Sequence, residues 1–224
     1  MSSGRSSTRG CKTWPGCRRR ARGRSRIGTS SSSPLDDAWL AAVLETPGLT
    51  ALRDPAAARS VLLDDSLRGL PLVATLDGPI VDVGSGGGAP GIPLAHALPD
   101  REVVLLEAER RKCEFLERVA PANARVVWGR AEEQELDWAG VAVAKALAQP
   151  STAAEWCLPL VRPGGVVVLW VGPSAEPERV SAAAGRIAGE LVESPAGFLV
   201  IRKLGPTPPG FPRRAGVAKK RPLA

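Results

Sequence analysis

Several residue types are scarce in this 224-residue sequence, which has no tyrosine, one histidine and four cysteines. It has no run of 18 apolar residues, so we expect no transmembrane helix and no membrane partner. The Arg- and Ser-rich amino terminus lacks an apolar signal core, which argues against secretion. His96 lies in a predicted helix, where an ordinary surface position is favoured over a catalytic base.

The cysteines, at positions 11, 17, 113 and 157, form no C-x-x-C pair and have no histidine at zinc spacing. This pattern predicts no metal site and indicates reduced thiols in a cytoplasmic protein. Cys113 and Cys157 fall in apolar helical patterns and are predicted to be buried.

The net charge of +7 is unevenly distributed along the chain. Residues 1–34 contain nine Arg or Lys and residues 200–224 contain seven, and neither range contains an acidic residue. Residues 35–199 contain 14 basic and 23 acidic residues. Basic ends on an acidic core favour a polyanionic partner, with nucleic acid first, although tails that merely improve solubility are an alternative.

The hydrophobic pattern predicts four segments. Residues 1–34 have no apolar period and are predicted to be a disordered basic tail. Residues 35–75 are predicted to form a short helical cap, with a helix at 36–45. From residue 76 to 204, strands and helices alternate, which is typical of an α/β domain with a mainly parallel sheet covered by helices on both faces. Residues 205–224 form a basic tail that its prolines are predicted to keep extended.

We place seven strands in this sheet: five near 79–83, 102–107, 125–128, 140–144 and 165–171, and an antiparallel pair within 191–203. Four helices are predicted near 90–98, 109–120, 150–161 and 175–189.

The stretch VDVGSGGGAPGIPLA at 81–95 is typical of a nucleotide-cofactor loop between a strand and a helix. Its glycines allow backbone conformations that other residues avoid and let a ligand approach closely, and Pro90 suits the first helical position. Glu107 closes the second strand at the spacing from which a carboxylate accepts hydrogen bonds from ribose hydroxyls. Methyltransferases and nicotinamide dehydrogenases share this half of the fold, so the loop alone leaves both open.

Seven sequence segments, taken in their order along the chain, help to decide between a methyltransferase and a dehydrogenase. They are GLTALRDP at 48–55, DDSL at 64–67, DVGSGGGAPGIPLA at 82–95, LLEAERRKCEFLERV at 105–119, GRAEE at 129–133, LPLVRPGG at 158–165 and FPRRAGVAKKRPL at 211–223. With these segments the chain resembles the glucose-inhibited division protein B family, bacterial enzymes that methylate N7 of a guanine in 16S rRNA. The resemblance implies a Rossmann-like methyltransferase fold that uses S-adenosyl-L-methionine, with 16S rRNA or the assembling small ribosomal subunit as partner.

The resemblance also implies site residues. Those for the cofactor are Gly84, Ala89, Glu107, Ala108, Glu109, Ala131 and Glu132, to which we add Gly86, Gly88 and Lys145. From their positive charge, we further assign Arg213, Arg214, Lys219, Lys220 and Arg221 to rRNA phosphates. Because guanine N7 carries a free lone pair, we predict no acid or base catalyst. Lys145 is interpreted as a positioning residue for the cofactor carboxylate or a substrate phosphate, with an ordinary surface lysine as the alternative.

Four positions depart from the family pattern. Ala89 replaces a bulky apolar residue, Leu62 a histidine, Lys145 an arginine and Val171 a lysine. Three functions other than guanine-N7 methylation are alternatives. Two of them remain open: an rRNA-binding protein without transfer activity, and a methyltransferase for another base. The third, a dehydrogenase, is disfavoured by the absence of tyrosine and of a second domain. We expect a monomer.

Overall fold

The computed structural model describes residues 33–224. Most of the predicted basic tail therefore lies outside the described residues. Its last two residues do not: Ser33 caps the first helix by accepting a hydrogen bond from the Leu35 amide at 3.2 Å, and Pro34 begins that helix. The predicted helix at 36–45 is confirmed with a start two residues earlier.

Helices and strands alternate from residue 80 onward, as the sequence predicts. The helices are α1 Pro34–Glu45, α2 Pro55–Ala58, α3 Asp65–Leu67, α4 Leu70–Val73, α5 Gly91–Ala97, α6 Arg110–Val119, α7 Pro150–Cys157, α8 Pro177–Gly185 and α9 Val217–Lys220. A π-helical turn, Arg59–Asp64, joins α2 to α3, and 3₁₀ turns occupy Ala131–Glu133 and Leu158–Leu160. The strands are β1 Ile80–Val83, β2 Val103–Glu107, β3 Ala124–Trp128, β4 Ala139–Lys145, β5 Val161–Trp170, β6 Gly189–Val192 and β7 Phe198–Lys203.

The seven strands form one sheet in the order β3-β2-β1-β4-β5-β7-β6. β1 to β5 are parallel, and β7 runs antiparallel to both β5 and β6. The predicted fold class, a mainly parallel seven-stranded sheet, is confirmed. The chain order reverses between β1 and β4, so the connections leave these two strands in opposite directions and open a crevice at their carboxyl ends, where ligands bind in such sheets.

Both faces of the sheet are covered. Val81, Val83 and their neighbours pack in one cluster with α7 and α8, whereas Ile80 and its neighbours pack in a second cluster with α1, α5 and α6. This alternation follows from the two-residue period of a strand. Cys113 and Cys157 are buried, as predicted. Every helix within residues 33–224 falls short of the length and apolar character that crossing a bilayer requires.

The residues after β7, predicted to be extended, instead fold back onto the domain. Lys203 is completely buried, and its ammonium group donates to Asp137 Oδ1 at 3.0 Å and to Thr207 Oγ1 at 2.8 Å. The Thr207 amide donates to the other carboxylate oxygen of Asp137 at 3.0 Å. This network fixes the start of the segment 205–224, whose later residues pack against α7.

Candidate cofactor and substrate site

The glycine loop follows β1 directly and turns through backbone conformations that favour glycine. The φ angles of Gly84, Gly86 and Gly88 are +72°, +56° and +101°. A Cβ atom on Gly84 would collide with the side chain of Leu147, so the residue is restricted by space as well as by conformation. Pro90 is the N-cap of α5 and not its first residue, which is Gly91.

Glu107 is held rigidly at the end of β2. One carboxylate oxygen accepts from the Gly86 amide at 2.9 Å, and the other accepts from the Glu109 amide at 2.8 Å. The residue is 8% exposed. The two backbone amides fix the orientation of the carboxylate. Because each carboxylate oxygen has two lone pairs, both oxygens can still accept a hydrogen bond from a ligand.

A cavity of about 500 Å³ opens between the glycine loop, the ends of β2, β3 and β4, and the helical residues before β1. Eight of the ten predicted cofactor residues line it: Gly84, Gly86, Ala89, Glu107, Ala108, Ala131, Glu132 and Lys145. Gly88 and Glu109 do not. Gly88 turns the loop behind the cavity wall, and the Glu109 side chain forms an exposed ion pair with Lys112 at 2.8 Å.

Sequence reasoning missed most of the apolar wall, which consists of Trp39, Val43, Leu49, Val61, Leu62, Leu147 and Trp156. The apolar stripe of α1 was the available signal, because it includes Trp39 and Val43. The Trp39 indole N–H donates to the Gly87 carbonyl at 2.9 Å, which attaches α1 to the glycine loop.

His96 is neither a surface residue nor a cavity residue, so its predicted surface position is wrong. Its side chain is 8% exposed, and Nδ1 lies 2.7 Å from Asp36 Oδ1. The pair joins α1 to α5 behind the glycine loop.

Lys145 lies on the cavity wall but is largely engaged. Its ammonium group forms an ion pair with Asp65 Oδ2 at 2.8 Å and donates to the Val61 carbonyl, and its side chain is 13% exposed. Burial opposes ionisation of Asp65, but hydrogen bonds and charges from Lys145 and Arg68 outweigh it and lower the pKa of this carboxyl group. At most one donor of Lys145 is left for a ligand.

The predicted phosphate contacts divide into two groups. Arg213 forms two hydrogen bonds to Glu155, at 2.5 and 2.6 Å, and Glu155 is 2% exposed. The ion pair with a buried carboxylate occupies Nε and Nη2 of Arg213 and gives this arginine a structural role, so it is a weaker candidate for a phosphate contact than the sequence predicts. The other four, Arg214, Lys219, Lys220 and Arg221, are exposed and stay predicted phosphate contacts. Near them, the Gly216 amide donates to Glu132 Oε1 at 3.2 Å, which attaches the segment 205–224 to the cavity wall.

Asp82 is a buried acid immediately beneath the glycine loop. It is 1% exposed; Oδ2 accepts from the Gly91 amide at 3.0 Å, and Oδ1 has no hydrogen-bond partner among the described residues. Burial, reinforced by the charge of Glu107, raises the pKa of Asp82 from 3.8 to about 7. The group therefore titrates near neutral pH in the folded protein.

We expect the contribution of Asp82 to the unfolding free energy to fall as pH rises from about 4 to about 7, because folded Asp82 retains a proton that the unfolded chain releases above pH 3.8. Asp82→Asn removes this titration while keeping an oxygen for the Gly91 amide. The stability of the variant relative to wild type should therefore increase across that range, by up to about 1.4 kcal/mol per pH unit. Denaturant unfolding of both proteins at pH 5, 6, 7 and 8 measures this; a difference independent of pH would refute it.

Within residues 33–224, no group of three or more His, Cys, Asp or Glu side chains is arranged to hold a metal ion.

Comparison with known proteins identifies the family. A family model described as rRNA small subunit methyltransferase G matches residues 38–194. The protein named ribosomal RNA small subunit methyltransferase G from Synechococcus elongatus is 36% identical over 201 residues, which covers 78% of this chain and 82% of the relative. The protein of the same name from Pelotomaculum thermopropionicum is 39% identical over 181 residues, covering 71% and 76%.

Among solved structures, the T. thermophilus 16S rRNA N2 G1207 methyltransferase is 17% identical, with a TM-score of 0.45 over 59% of this chain and 37% of that chain. The family model spans more than half of the sequence, and the curated relatives cover most of it at more than 30% identity. The chain therefore belongs to the GidB family, the rRNA small subunit methyltransferase G proteins.

Proposed function

We propose that this protein transfers a methyl group from S-adenosyl-L-methionine to N7 of a guanine in the 16S rRNA of the small ribosomal subunit. One observation carries the proposal: in a member of this family, the glycine loop and the Glu107 carboxylate converge on a cavity at the reversal point of the sheet. The RNA is the macromolecular partner, and the proposal places the protein in the cytoplasm as a monomer.

The residues present fit the cofactor. The positive φ angles and small side chains of the loop leave room for a ligand against the backbone, and Glu107 offers oriented acceptors to ribose hydroxyls. Ala108 and Ala131 line the same cavity with small side chains, which leaves space for the adenine ring. When bound, the cofactor supplies an electrophilic methyl carbon on a positively charged sulfur.

The chain contributes alignment and exclusion of water to the reaction. Guanine N7 is already an unprotonated nucleophile, so no general base has to create it. The apolar side chains of Trp39, Val61 and Leu62 line the cavity on the side formed by the residues before β1. Restricting the base in such a cavity replaces a bimolecular encounter with an oriented approach, which lowers the activation free energy.

A labelled methyl-transfer assay tests the proposal. The protein is incubated with labelled S-adenosyl-L-methionine and either 16S rRNA or small subunits, and the product is mapped by cleavage at N7-methylguanine. Label at one guanine is the expected result. Label on another base would reassign the acceptor, and RNA binding without label would favour the alternative of an rRNA-binding protein that lacks transfer activity.

Lys145→Ala is expected to reduce the methyl-transfer rate at least about tenfold, because it removes a cation from the cavity wall near the predicted cofactor carboxylate or substrate phosphate. Lys145→Arg should retain most of the activity. Asp65→Asn is the matched control, since it removes the ion pair and leaves the ammonium group in place. Equal losses in Lys145→Ala and Asp65→Asn would instead show that Lys145 acts by holding the π-helical turn and α3 in place.

Changing Arg214, Lys219, Lys220 and Arg221 to glutamine is expected to weaken rRNA binding and flatten its salt dependence. Each lost phosphate contact removes about 0.7–0.9 from the slope of log affinity against log salt concentration. Filter binding between 50 and 300 mM salt measures the slope. Arg125→Gln, near the amino end of β3 and away from the carboxyl ends of the strands, is the control; a wild-type slope in the fourfold variant would remove these residues from the interface.

A further inference from the structure

An exposed tryptophan beside the cavity has no role in the proposed transfer. Trp128, the last residue of β3, is 61% exposed, whereas the other large exposed apolar side chains within residues 33–224 are aliphatic. One exposed apolar residue alone carries no functional meaning. Its orientation and surroundings are therefore what matter.

The Trp128 ring is held in a fixed orientation. Its indole N–H donates to the Ala108 carbonyl at 3.1 Å, and the guanidinium carbon of Arg110 lies 5.2 Å from the ring centroid. One edge and one face of the indole are thus occupied. Since the residue as a whole is still 61% exposed, the face opposite Arg110 is the flat apolar area left for a ligand.

This face lies at the rim of the cavity. Trp128 is paired in the parallel sheet with Glu107, the predicted ribose acceptor. Ala108, which accepts the indole hydrogen bond, lines the cavity. Gly129 and Arg130, the two residues after Trp128 in the chain, line it as well. A nucleotide stacked on Trp128 would therefore lie just outside the cavity, on the side of the predicted ribose acceptor.

Residues 128–132, which form this rim, also contact the basic segment 205–224. Glu132, four residues after Trp128, accepts the hydrogen bond from the Gly216 amide. Arg214 and Lys219, on either side of Gly216 in the chain, are exposed, as is Arg130. A chain of phosphates following these cations would pass along the 128–132 turn.

We propose that Trp128 is a stacking platform for an unpaired base of the rRNA that lies outside the cavity, on the β3 side, while the target guanine occupies the cavity itself. The inference rests on the proposed function for the identity of the RNA. Aromatic faces bind bases of any sequence, so Trp128 adds affinity and fixes the path of the strand without reading its sequence. The neighbouring phosphates are neutralised by Arg130 and the exposed cations of the segment 205–224.

Steady-state methylation of deproteinised 16S rRNA and of small subunits tests the proposal with three variants. Trp128→Ala is expected to raise KM for RNA at least about 5-fold, the lower range for loss of one stacked base. Trp128→Phe retains an aromatic face and should recover most of the loss. Trp128→Leu, which is apolar without an aromatic face, should not. The salt slope of binding stays at the wild-type value in Trp128→Ala, because the indole is uncharged.

Calorimetric titration with S-adenosyl-L-methionine in the absence of RNA should give wild-type affinity for all three variants. An equal loss of cofactor affinity would overturn the proposal by making Trp128 part of the cofactor wall. So would an unchanged KM in Trp128→Ala, recovery by leucine, or an effect on small subunits that is absent with free rRNA, which would indicate a ribosomal protein. If wild type binds RNA through Trp128 without transferring a methyl group, the proposed function fails and the stacking platform stands.

Discussion

Glu107→Gln is expected to reduce the affinity for S-adenosyl-L-methionine by about 100-fold or more. The carboxylate already accepts from two backbone amides, so both oxygens are oriented toward the cavity and bear the charge that strengthens hydrogen bonds from ribose hydroxyls. Glutamine keeps one acceptor and places an N–H₂ group against a backbone N–H. Each hydrogen bond to a charged group contributes about 1.5–3 kcal/mol, and two are lost or weakened.

Calorimetric titration of the protein without RNA measures this affinity. Glu109→Gln is the matched control, because that side chain is exposed and does not line the cavity, although its ion-pair partner Lys112 does. It should bind the cofactor within about threefold of wild type; a larger loss would show that the Glu109 side chain contributes to cofactor binding. Affinity within threefold in Glu107→Gln as well would place the ribose elsewhere.

Arg213→Met is expected to destabilise the fold by about 3–5 kcal/mol. Glu155 is 2% exposed and accepts both of its short hydrogen bonds from this guanidinium group, so removing the arginine leaves a buried carboxylate without its cation. The double variant Glu155→Gln with Arg213→Met removes that uncompensated charge and should recover a large part of the loss.

Denaturant unfolding at pH 7 and low salt gives these free energies. Arg214→Gln changes the adjacent, exposed arginine and should stay within about 0.5 kcal/mol of wild type. Similar stability of the two arginine variants would mean that the ion pair contributes nothing beyond a surface contact. Arg213→Met should also weaken RNA binding, because only folded protein presents the predicted RNA contacts. The loss should be proportional to the fraction of protein that is unfolded.

The positions of the central strands could be predicted, because each buried parallel strand is a short apolar run that ends at a polar or glycine residue. β1 and β2 were placed within one residue on this basis. The glycine loop and Glu107 were also recognisable, since their chemistry depends on residues near in sequence and on the common edge that parallel strands share.

The carboxyl-terminal segment was misread because its contacts are distant in sequence. Prolines and unpaired positive charge are typical of an extended tail, yet Arg213 is bound by a glutamate 58 residues earlier. Nothing local to FPRR marks Glu155 as a buried partner. The role of Asp137, which has a positive φ of 55°, could not be predicted either. Its contacts with Lys203 and Thr207 form only when the end of β7 lies beside it.

The bonds that enclose the cavity join parts of the chain far apart in sequence. Trp39 reaches Gly87 across 48 residues, and Gly216 reaches Glu132 across 84. Closing such long loops costs conformational entropy before any ligand can be held. The cofactor site is therefore a property of the completed fold, and a ligand that binds there shifts the folding equilibrium of the whole domain instead of ordering one local motif.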